Sequence, residues 1–121
     1  MLKMNGLRSQ HMQSCKALVT RINEYMGFKN EALGSFCLGT IGHWESSEFA
    51  FGRLTKGCVP HKVKDWYFYA FLNPACAERF YSVQACAEFL RGFEQAVKMF
   101  RGYPCMFNNE RTEELLGRLY R

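Results

Sequence analysis

Aspartate is nearly missing from this chain of 121 residues, with Asp65 its single instance. A site built on paired aspartates is therefore excluded. Apolar runs are short, and none approaches the ~20 uninterrupted apolar residues that a membrane-spanning helix needs. Ten glycines are present, yet never as Gly-x-Gly-x-x-Gly or Gly-Lys-Ser/Thr, so no loop is expected to cradle a phosphate. Met1–Arg8 holds two basic residues and no apolar core, and no secretory signal is expected there. Acids are absent before Glu24 and again between Glu48 and Asp65. The first of these stretches is basic and amphipathic, the look of a surface helix and, as the alternative, of an organelle-targeting segment.

What the chain has in quantity is apolar and aromatic matter, 48% and 16% of its residues. That composition belongs to a folded globule and not to a disordered chain. The length suits one domain, residues 1–121, with a single core. The net charge of +5 is spread along the chain, whereas a dedicated nucleic-acid binder concentrates its charge on one face. Cys15, Cys37, Cys58, Cys76, Cys86 and Cys105 would suggest a disulfide framework in a small secreted chain. Several sit at apolar-pattern positions, where a thiol behaves as a small hydrophobe. They are expected to be mostly free and buried, in a reducing compartment: the cytoplasm, with an organelle matrix as the alternative.

In chain order, a helix is predicted from Ser9, its N-cap, to Met26. Met12, Cys15, Val19, Ile22 and Met26 form its apolar stripe, and Gln13, Lys16, Thr20 and Asn23 its wet face. Gly27 closes it as the residue after the C-cap. Two-fold alternation predicts strands at 35–44 and 48–55, with Gly39 and Gly42 marking a bulge, a sharp twist or a close backbone approach. A third strand is predicted over Val63–Leu72, centred on the aromatic run Trp66–Leu72. Both its faces are apolar, so it needs cover on both, and Tyr67 and Tyr69 mark the half-wet one. Asn73-Pro74 predicts the start of a long helix to about Arg101, with a break near Tyr81-Ser82 or Gly92 as an alternative. Cys86, Leu90, Phe93, Val97 and Phe100 point inward, while Glu94 and Lys98 pair on the outer face. Gly102-Tyr103-Pro104 stops it, and a short last helix from Glu110 to Tyr120 docks through Leu115, Leu116 and Leu119. The expected fold is α+β, a three-stranded antiparallel meander packed by helices in the order α-β-β-β-α-α.

That order resembles the double-stranded RNA-binding domain and the SH2 domain in topology. The residues that would carry either function do not match. Pro74-Ala75-Cys76-Ala77-Glu78 stands where the first has a lysine cluster, and Phe36-Cys37-Leu38 is followed by Gly39 where the second has its arginine. No family is claimed on this basis. Candidate chemistry is equally thin. Cys58-Val59-Pro60-His61 has the gap of a zinc half-site, but only scattered Cys37, His43 or Cys105 could complete it. A Cys–His nucleophile oriented by Asp65 has no local signature. No catalytic residue, metal or cofactor is expected, and the chain is read as a non-enzyme.

The densest positive stretch holds Arg53, Lys56, His61, Lys62 and Lys64 around Gly57 and Pro60. Together with Tyr67 and Tyr69 these are the candidate contact residues. The expected function is a non-enzymatic protein-binding module: a small inhibitor, adaptor or accessory subunit of a larger assembly, of the kind phages and plasmids encode or organelle complexes recruit. It would act through the aromatic sheet face and the basic loop. The alternative is a nucleic-acid-binding protein that contacts phosphates through residues 53–64.

Overall fold

A computed structural model describes residues 10–43, 45 and 48–102. Helix α1 spans Gln10–Met26 and buries the predicted stripe of Met12, Cys15, Val19 and Ile22, joined by Leu18. It ends as expected at Gly27, in the left-handed region at φ 78°, with the Phe28 N–H donating to Asn23 O at 2.8 Å. Asn23, expected on the wet face, is instead in the core. It is fully buried, its amide donates to Asn30 Oδ1 (2.8 Å) and Phe36 O (3.0 Å), and its own oxygen accepts the Phe36 N–H. A buried amide with partners on each side ties the end of α1 to the start of the sheet. The N-cap assigned to Ser9 lies outside the described residues.

The fold is α+β, but the sheet has five strands and is mixed, where three antiparallel ones were expected. They are β1 (Phe36–Gly39), β2 (Phe49–Arg53), β3 (Val59–Val63), β4 (Trp66–Ala70) and β5 (Ala77–Phe80), in the order β3-β4-β1-β2-β5. β1 pairs antiparallel with β2 and parallel with β4. The predicted strand over 63–72 is interrupted at once. Lys64, at φ 56°, and Asp65 make a two-residue turn, and Val63 pairs with Trp66 across it. β3 precedes that turn, in a stretch whose Pro60 and lysines masked it, because proline enters a sheet only at an edge, which is where β3 lies.

The helix predicted from Asn73 to Arg101 also divides. Asn73 does cap, its side chain accepting from the Ala75 N–H at 3.0 Å, but the element it starts is a 3-10 turn, Pro74–Cys76. Residues 77–80 then extend as β5 along the free edge of β2. Helix α2 (Val83–Arg101) starts at a second cap, Ser82, whose hydroxyl accepts the Ala85 N–H at 3.1 Å. It stops at Gly102, φ 80°. Cys86, Leu90 and Val97 are buried as predicted, whereas Phe100 stands in solvent. The outer-face pairing of Glu94 with Lys98 is also overturned, since both are buried. Glu94 bonds Arg21 of α1 at 2.5 Å, and the Lys98 ammonium lies 5.3 Å from the Tyr25 ring centroid. The helix predicted at 110–120 lies outside the described residues.

Both helices pack on one face of the sheet, over a core that includes Leu38, Phe49, Phe51, Trp66 and Phe68. Ring pairs at 5.1 Å (Phe36–Phe51) and 5.6 Å (Phe49–Phe68) stack across it. The other face is covered by the chain's own connections. β2 and β3 run the same way, as do β4 and β5, so the segments 54–58 and 71–76 must each travel the length of the sheet. They cross the outer face, where Leu54, Leu72 and the adjoining Ala77 pack with Cys37, Ala50 and Tyr69. Small residues let the neighbouring strand β4 and the second crossing lie close. A Cβ on Gly39 would stand 1.8 Å from Tyr69 O, and one on Gly52 2.6 Å from Cys76 O. Gly39 therefore marks the close backbone approach read from the sequence. Among the described residues no helix is long and apolar enough to cross a membrane.

Candidate interaction groove on the outer sheet face

Alternation along β4 sends Trp66 and Phe68 to the helices and Tyr67 and Tyr69 to the outer face. The crossing of 54–58 and the loop after α1 build walls beside those tyrosines, leaving an open groove of about 390 Å³. Its lining is Glu31, Leu33, Leu54, Thr55, Lys56, Cys58, Pro60, Tyr67 and Tyr69. The two rings lie 6.3 Å apart and tilted, with Tyr69 as floor and Tyr67 half-buried above it. Leu33, 63% exposed, stands at the mouth. Cys58 closes the turn before β3: its sulfur lies 3.4 Å from the Thr55 N–H, which donates to it.

The floor is uncharged at any ordinary pH. Burial, then Glu31, Cys37, Tyr67 and Cys58, push the Tyr69 hydroxyl up to about 12. Burial followed by Cys58 does the same to the Cys37 thiol beneath it, also to about 12. Charge sits only at the rim, in Lys56 and Glu31. Exposed Lys62 pairs directly with Tyr67 across the strands, which puts both side chains on the same face.

Of the seven residues expected to make contacts, Lys56, Tyr67 and Tyr69 line the groove and Lys62 borders it. Lys64 is exposed at the turn between β3 and β4. Two lie elsewhere. Arg53 is folded back onto aromatic rings, 4.8 Å from the Phe28 centroid and 5.1 Å from that of Phe36, and its Nε donates to Gly34 O. Its stem and plane serve the fold. His61 pairs with Phe68 and so faces the helices, while Cys58 belongs to the outer cluster. The two halves of the suspected zinc motif thus point to opposite faces. Among the described residues no group of three His, Cys, Asp or Glu side chains is placed to hold a metal. The five described cysteines are free thiols, of which Cys15, Cys37 and Cys86 are buried, Cys58 half-buried and Cys76 exposed.

Glu31, Leu33 and Pro60 were not anticipated as site residues. Glu31 and Leu33 come from an irregular loop in which Glu31 itself takes a left-handed conformation, φ 67°, and no periodic signal marks such a segment. A second cavity of about 590 Å³ lies between the helices, lined by Ser14, Ala17, Arg21, Arg91, Glu94 and Gln95 among others. Its central polar groups already satisfy each other: the Glu94 carboxylate accepts from Arg21 and raises the arginine above its ordinary value. That makes it a joint between α1 and α2, whereas the sheet groove presents unclaimed apolar surface beside cations.

No protein-family model, no curated protein and no solved structure matches the chain. Its class is accordingly a structural one, an α+β fold whose described helices lie on one face of the sheet, with a half-covered groove on the other.

Proposed function

We propose that the protein is a non-enzymatic protein-binding module, a small inhibitor, adaptor or accessory subunit, acting through the outer sheet face and the basic segment beside it. The observation that carries this reading is the groove itself, in which exposed Leu33 and Pro60 and half-buried Tyr67 stand around a neutral floor of Tyr69 and Leu54. Such a surface gains by exclusion of water when a partner covers it, and tyrosines are favoured in interface cores. The contact set that remains is Lys56, Lys62, Lys64, Tyr67 and Tyr69, without Arg53 and His61. Free thiols, one of them exposed, fit a reducing compartment such as the cytoplasm.

The test is affinity capture from host lysate, with and without nuclease, at low and high salt, using the wild type and a Leu33→Asp variant side by side. A stoichiometric protein that survives nuclease and is lost with Leu33→Asp is the expected result. Recovery of nucleic acid alone, released by salt, would replace this reading with phosphate binding.

A further inference from the structure

The groove's charges and the strand beside it narrow the partner's chemistry, on the footing that the groove is a protein-binding site. Strand addition is the first mode to consider, because β3 is an edge strand. In an antiparallel ladder, hydrogen-bonded and non-bonded pairs alternate. Val63 and Trp66 close the two-residue turn as a bonded pair, so Val59, His61 and Val63 bond inward to β4, while Pro60 and Lys62 turn their backbone outward. Pro60 has no N–H to offer. A strand added here would meet one donor, that of Lys62, along the whole of β3, and the edge is in effect closed. Recognition must therefore run through side chains on the face.

On that face the lysines outnumber the acid. Lys56 and Lys62 are exposed at the groove against Glu31, while Lys64 at the end of the hairpin is offset by its exposed neighbour Asp65. A phosphate backbone is the poorer match, for two reasons. Glu31 stands in the wall it would have to pass, and Tyr69 is only 6% exposed, so its ring offers no free face for a base to stack on. A peptide can set its carboxylates on the lysines and an apolar side chain on the floor between them.

We propose that this groove receives a short acidic peptide segment, in which Asp or Glu side chains flank an apolar anchor seated against Leu33, Pro60 and Tyr67, above the floor of Leu54 and Tyr69.

The test is selection from a random peptide display library on the immobilised full chain, followed by fluorescence anisotropy of the selected peptides against wild type and variants. Enrichment of acidic sequences around Leu, Phe or Pro is expected, with binding that weakens as salt rises. Binding should fall about tenfold for the double variant Lys56→Glu/Lys62→Glu and about tenfold for Leu33→Asp, both with unchanged melting temperatures. Enrichment of neutral or basic sequences would overturn the proposal, as would acidic peptides indifferent to the lysine variant or displaced by oligo-dT at lower concentration than by themselves. A lysate partner that is lost with Leu33→Asp but kept by the lysine variant would overturn the acidic partner while leaving the protein-binding reading intact. If no selected peptide and no lysate partner depends on Leu33, both fail.

Discussion

Gly39 has no room for a methyl group, because the carbonyl that would block it belongs to the backbone of β4 and cannot swing away. Gly39→Ala should lower stability by more than about 3 kcal/mol in urea unfolding, at or beyond the usual range for overpacking. Gly42 makes the control: nothing lies within 4 Å of its added Cβ and its φ is ordinary, so Gly42→Ala should be neutral or gain up to about 1 kcal/mol. The groove floor makes a second prediction, in pH. Burial raises Cys37 from 9.0 and Tyr69 from 10.0, each to about 12, so the folded chain holds both protons more tightly than the unfolded one. Their neutral forms are present in both states below about pH 9. Above it the unfolded chain sheds the Cys37 proton first, and stability declines through about pH 12, with Tyr69 joining from about pH 10. The Cys37 proton adds a slope of up to about 1.4 kcal/mol per pH unit, and the Tyr69 hydroxyl, closer to solvent, adds less. Cys37→Ala should make the decline measurably shallower between pH 9 and 10.5, and an unaltered curve would deny Cys37 its burial.

At the scale of elements, the two helices meet through an ion pair whose halves differ in environment. The Glu94 carboxylate is 6% exposed and the Arg21 side chain 46%. Removing the exposed half strands a buried charge, while replacing the buried half by an apolar residue strands nothing. Arg21→Ala should cost about 1 kcal/mol, a value kept low by the solvent around the arginine, and Glu94→Leu should cost less or nothing by thermal melting. This pair also shows what sequence can and cannot reveal. Stripes such as Met12, Cys15, Val19 and Ile22, or Cys86, Leu90 and Val97, are legible because apolar spacing alone decides which side is buried. Glu94 and Asn23 are polar and buried, and their cost is offset by partners distant in sequence, Arg21 and Phe36, that no local pattern announces. β5 was unreadable for a similar reason, since Ala77-Glu78-Arg79-Phe80 behind an Asn-Pro cap favours helix until the open edge of β2 competes for it. Tyr67 and Tyr69 were legible as a face because period two is local. Leu33 and Glu31 reach that face from a loop, and Arg53 leaves the basic cluster for the rings of Phe28 and Phe36, both matters of tertiary packing.

For the whole molecule, the central parallel pairing of β1 with β4 joins residues as far apart as Gly39 and Tyr69, and both crossings of the outer face must be in place before the sheet is complete. Non-local pairing of that kind slows folding, so refolding followed by tryptophan fluorescence in stopped flow should take milliseconds to seconds and not microseconds. Sheet edges bear on assembly as well. A chain of molecules joined edge to edge requires two reactive ends on every monomer. In the described sheet one end is β5, and the other is β3, stopped by the missing N–H of Pro60. A unit with a valence of one can pair, but it cannot polymerise. Sedimentation at rising concentration should accordingly show at most a monomer–dimer equilibrium, and Pro60→Val, by restoring the second end, is the single change expected to open the way to filaments.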